Sequence, residues 1–140
     1  MILHFSFEEL SALKAGADAF LDGEGVITGS VLAPPESRDR IEELVPLLHG
    51  DVSLSSLAEL RGIQVAVNAI VECLRAEMEF VVVSAHAADE GAVSAYFDFA
   101  HSFTVAHRIG EMADEMTALI ELVTGGPPTP EAAHDFHFAD

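Results

Sequence analysis

From Ser56 to His86 the chain holds no proline and a single glycine, Gly62. Inside that stretch Ile63, Val65, Ala66, Val67, Ala69, Ile70, Val71, Cys73 and Leu74 are apolar, interrupted only by Gln64, Asn68 and Glu72. Those three stand four residues apart, so on a helix they share one narrow strip with Arg61, Arg75 and Glu79. A helix apolar around most of its circumference must be buried around most of it, and one partner helix does not cover that much surface. The strip itself reads as a solvated face. Its Glu72–Arg75 and Arg75–Glu79 spacings suit ion pairs worth about 0.3 kcal/mol each.

The remaining elements follow from caps and breakers. Ser56-Leu57-Ala58-Glu59 is a capping box that opens this long helix. A break is predicted near Ala88-Asp89-Glu90-Gly91, then a second long helix from about Ala92 to Val123, stopped by Gly125-Gly126-Pro127-Pro128. Each would run roughly 45 Å at 1.5 Å per residue. Two such helices joined by a short break predict an antiparallel hairpin.

Upstream, Ser6-Phe7-Glu8-Glu9 is a further capping box, followed by the stripe Leu10, Leu13, Ala17 and Phe20. Residues 23–35 read as a connection in which Val26, Ile27, Val31 and Leu32 lie extended on the core. A second short helix follows Pro35, carries Ile41, Leu44 and Val45, and is limited by Pro46. The fold class is therefore all-α: a helical bundle with two long C-terminal helices in an antiparallel hairpin and two short N-terminal helices. One α-helical domain is expected over residues 1–126, with a short, loosely attached tail over 127–140.

The last helix has more apolar surface than one neighbour needs. Tyr96, Phe99, Phe103, Ala106, Ala113 and Ile120 are assigned to the seam with the preceding helix. A second set, Val105, Ile109, Met112, Met116 and Leu119, falls on another face and is assigned to an interface with a second copy, making the protein a homodimer. The alternative is that the short helices and the Val26–Leu32 segment cover that face within one chain.

Composition narrows the partners. Asp and Glu number 24 against 6 Lys and Arg, a formal charge of -18. Such a field repels phosphate backbones and anionic lipid, so neither nucleic acid nor membrane is expected as a partner. The single cysteine, Cys73, sits in an apolar run, which excludes an internal disulfide and fits a small buried hydrophobe in a cytoplasmic protein.

Chemistry-bearing groups are sparse. Bundles that hold metal ions draw carboxylates and histidines from several helices. Here Glu72, Asp98, His101, His107 and Glu111 are the candidate ligands, though one Asp-x-x-His pair stands where two Glu-x-x-His pairs are usual. His134 and His137 form a weaker candidate in the tail. Phe97, Phe99, Phe103 and Met112 are candidates to line a small-molecule pocket between the long helices. No nucleophile elbow or phosphate loop is present, and no cofactor is assigned. The leading expectation is a non-enzymatic intracellular assembly or regulatory module acting through helix–helix contacts. A metal-binding bundle protein or enzyme and a ligand-binding pocket are the alternatives.

Overall fold

The computed structural model describes residues 1–22, 35–84 and 90–125. In chain order it contains β1 (Ile2–Leu3), α1 (Phe7–Asp22), α2 (Ser37–Leu44), a 3₁₀ turn (Val45–Leu47), β2 (Val52–Ser53), α3 (Leu57–Ser84) and α4 (Glu90–Thr124). The two long C-terminal helices pack on each other, with the two short helices beside them: an all-α bundle. The Val26–Leu32 segment and the tail lie outside the described residues.

Local chemistry accounts for the helix ends. At α1 the Glu9 amide donates to Ser6 Oγ at 3.1 Å, and the Ser6 amide donates to Glu9 Oε1 at 2.8 Å. This closes the capping box that the spacing predicts. At α3 the Glu59 amide donates to Ser56 Oγ at 3.2 Å, but the Glu59 carboxylate reaches one residue further back, to the amide and hydroxyl of Ser55 at 2.8 Å each. Pro46 falls in the 3₁₀ turn that ends α2. Gly125, at φ 78°, closes α4, its amide donating to the Glu121 carbonyl at 2.8 Å. That helix begins at Glu90, two residues before the predicted start; Glu90 and Gly91 form its first turn instead of a break. An acidic residue is favourable there, because it faces the unpaired amides of the helix N-terminus.

Contacts along the hairpin show its direction. Arg61 reaches Thr117 at 3.2 Å, Gln64 lies beside Gly110, and the Arg75 guanidinium sits 5.5 Å from the centre of the Phe99 ring. Numbers rise on α3 as they fall on α4, so the helices are antiparallel. The core runs from Leu13, Ala17 and Phe20 of α1 through Ile41 and Leu44 of α2 to Leu60, Val67 and Ile70 of α3. The α1 stripe is thus the predicted one, with Leu10 only half-buried.

The rotation of α4 differs from the expectation. Its buried face is Ser102, Val105, Ile109, Ala113 and Ile120. Val105 and Ile109, assigned to an interface with a second copy, are fully buried inside this chain. Met112 and Met116 are half-buried against the same core, and of the interface set only Leu119 is exposed. Tyr96 and Phe103, assigned to the hairpin seam, are exposed instead. The reason is that α1 also packs on α4, so the groove facing that helix is made by α1 and α3 together. The Val105–Ile109 side fills it.

Helices α1 and α3 meet at Gly16. A Cβ there would stand 2.5 Å from Ile70 Cγ2 and 3.0 Å from Leu74 Cδ1. Both neighbours are core side chains with little room to give. Gly16→Ala is therefore expected to lower stability by about 1–2 kcal/mol, overpacking outweighing the roughly 1 kcal/mol gain in helix propensity. Urea unfolding, with exposed Ser11→Ala in the same helix as control, measures it; a stabilised Gly16→Ala would show that α1 does not approach α3 this closely.

Candidate functional site

The candidate metal ligands are separated. Glu72 is exposed and pairs with Arg75 at 3.3 Å, while His107 and Glu111 pair with each other at 3.1 Å on open surface. Asp98 is half-buried; burial raises its pKa, against a smaller lowering from His101. The His101 ring stacks on Phe97 with centroids 6.4 Å apart. Among the described residues no three His, Cys, Asp or Glu side chains gather closely enough to hold an ion. These five residues are therefore not brought together as one centre. The physical reason is placement: Glu72 lies on α3, paired with Arg75, and six residues separate His101 from His107, about 9 Å along α4 and a third of a turn around it. His134 and His137 lie outside the described residues.

The proposed aromatic pocket also comes apart. Phe97 and Phe103 are about half exposed, on the side of α4 away from the core, while Phe99 and Met112 pack against the core. Cys73 is fully buried, and burial, reinforced by the nearby Glu77 charge, raises its thiol pKa to about 11. A thiol so protonated and so covered is a poor nucleophile.

The polar centre that the spacing did not reveal is Glu9 with Arg108. Glu9 is buried, yet its carboxylate carries the α1 cap and also receives Arg108. Arg108 Nη2 donates to Glu9 Oε2, and Nη1 donates to Oε1 at 3.4 Å and to the His4 carbonyl at 2.7 Å. One guanidinium thus ties the β1 end, the α1 N-terminus and the middle of α4. A cleft of about 420 Å³ flanks the pair, with Ile2, Phe5 and Met112 in its wall. Burial alone would raise the Glu9 pKa, but the Ser6 amide, the Arg108 hydrogen bond and charge, and the Ser6 hydroxyl together hold it below 4.5. Ser6-x-x-Glu9 announced the cap; nothing local announces a partner 99 positions away.

Among the described residues, two open surfaces combine apolar side chains with a marked charge pattern. The first is the outer face of α4, where Val93, Tyr96, Phe97 and Phe103 are 47%, 55%, 54% and 48% exposed. Tyr96 and Phe97 meet edge to face with centroids 5.7 Å apart. Residues 91–107 hold a single carboxylate, Asp98, in a chain otherwise crowded with them. The second is a cleft of about 720 Å³ bounded by α2, the 3₁₀ turn, β2 and the start of α3. Leu44, Leu47, Val52, Leu54 and Ile63 contribute apolar wall, and Arg40, Glu43, His49, Asp51 and Glu59 contribute ionisable groups.

No protein-family model, curated protein or solved structure matches this chain.

The Glu9 pairing sets an acid dependence. Because its folded pKa is depressed, Glu9 contributes stability that is fully present above the ordinary value of 4.5 and is lost as pH falls through the lower folded value. Glu9→Gln should cost on the order of 1–3 kcal/mol at neutral pH. Its deficit against the parent should shrink as the pH falls below 4.5 and through the depressed folded value. Urea midpoints of both proteins across that range test this, since the other carboxylates titrate alike and cancel. A deficit independent of pH would mean that the charge is not what holds Arg108.

Proposed function

We propose that this protein is a non-catalytic helical module that acts through helix–helix contacts and pairs with a second copy of itself along the outer face of α4. The observation that carries the reading is the run of half-exposed aromatic side chains, Tyr96, Phe97 and Phe103, on an almost carboxylate-free stretch. Two chains of charge -18 repel each other over most of their surface, and least where carboxylates are scarce.

Area sets the strength of the contact. A large aromatic residue buries roughly 150–250 Å², so three at half exposure, with Val93, offer on the order of 400 Å² per chain. Doubled, and extended by the polar rim, this approaches the roughly 1,000 Å² at which specific interfaces begin. The reading is thus a reversible dimer of modest affinity, not an obligate one. A reducing, cytoplasmic setting and the absence of nucleic-acid partners belong to the same proposal, supported by the lone buried Cys73 and the acidic charge. Among the described residues no helix is long and apolar enough to cross a membrane.

Light scattering over a concentration series reaching tens of micromolar provides the test. The mass should rise from one chain toward two, and Phe97→Glu with Phe103→Glu should hold it at one chain with helix content unchanged. A parent chain that stays monomeric throughout would refute the proposal.

A further inference from the structure

The cleft beside β2 is independent of the α4 face, and it is bounded by a strand edge. In the β1–β2 pair, Ile2 stands opposite Ser53 and Leu3 opposite Val52. The Leu54 amide donates to the Met1 carbonyl at 2.7 Å, so Met1 and Leu54 form a hydrogen-bonded pair of the ladder. Antiparallel ladders alternate, and the intervening Ser53 therefore turns its N–H and C=O away from β1. Ser53 lines the cleft, whereas Ile2 and Leu3 do not. Among the described residues neither main-chain group of Ser53 has a hydrogen-bond partner.

We infer that this cleft takes an extended, basic peptide segment that adds as a third strand beside β2. Main-chain bonding to Ser53 would anchor it, and successive side chains would alternate between cleft and solvent. Side chains turned inward meet the exposed Leu47, over a floor of the buried Leu44, Val52, Leu54 and Ile63. The polarity of the partner follows from charge: the cleft is lined by Glu43, Asp51 and Glu59 against one guanidinium, Arg40, which already pairs with Glu43 at 3.1 Å, and one imidazole, His49. Asp51 contacts His4 at 2.9 Å outside the cleft wall, and Glu59 serves the α3 cap. The net negative rim, set in a chain of charge -18, favours Lys and Arg on the incoming strand. The volume of about 720 Å³ is within the range of clefts that bind ligands.

The probe is a capped heptapeptide of alternating lysine and valine, titrated into the full chain and followed by backbone amide NMR. Saturable binding is expected, with the Ser53 amide among the most shifted and its hydrogen exchange slowed. Raising the salt concentration should weaken binding, and a glutamate–valine peptide should bind at least tenfold more weakly. Ser53→Pro removes the outward N–H while leaving the bonds to β1 intact, a place where an edge strand accepts proline. It should weaken the lysine peptide about three- to tenfold. Equal affinity for the two peptides would overturn the charge matching. Lack of saturation at about millimolar peptide, or shifts confined to α4, would overturn the site. If Ser53→Pro does not fold, the exchange measurement on the parent decides: unchanged protection at Ser53 in a saturated complex rejects strand addition.

Discussion

The arrangement of the whole bundle depends on how much of the α3 surface has to leave water. Val67, Ile70 and Leu74 point one way, while Ala66 and Cys73 turn to another side, and all are buried. No single neighbour covers an arc that wide. Helix α4 takes one side of it, and α1 with α2 takes the rest, so the short helices complete the core. At roughly 25 cal/mol per Å² of apolar surface, leaving that second side open would cost more than most small domains have in reserve. Gly16 belongs to the same constraint, because α1 closes over Ile70 and Leu74 only where a side chain is missing.

Apolar burial says which surfaces meet, but it is not directional, and α4 has two sides that would satisfy it. The Glu9–Arg108 pair supplies direction. Arg108 reaches both the Glu9 carboxylate and the His4 carbonyl in the same rotation that turns Val105 and Ile109 into the groove of α1 and α3. The aromatic residues near the start of α4 are thereby left outside. A stabilising ion pair and a candidate docking face are thus two consequences of one helix rotation.

The surfaces available for function are separated along the molecule. The aromatic face belongs to the first half of α4, and the β2 cleft belongs to the opposite end of the hairpin, where α3 begins. Their separation fits the proposed self-pairing and the proposed strand addition occurring on one molecule. Neither surface offers a converging set of nucleophile, base and oxyanion donors, and the buried Cys73 thiol is held protonated.

Much of the secondary structure was legible because it depends on residues within a turn of one another. Ser6 with Glu9, Ser56 with Glu59, Pro46 and Gly125 mark helix ends through contacts a few positions apart, and the α1 stripe repeats at a fixed period. The two-residue strands were not legible, since they are too short to show alternation and pair across some fifty positions. Nor was the α4 seam: the apolar pattern admits two rotations, and the choice rests on the groove that α1 and α3 make together, joined by Arg108 pairing with a carboxylate 99 positions away. Asp98 with His101 and His107 with Glu111 have helical spacing, yet the candidate metal residues share no one place, and the strand-edge cleft arises only once β1 has paired with β2. By itself, the sequence determined which segments are helical and that they must bury one another, because those properties are local. Which faces meet, and which remain open to a partner, was decided by contacts between distant segments that no local pattern encodes.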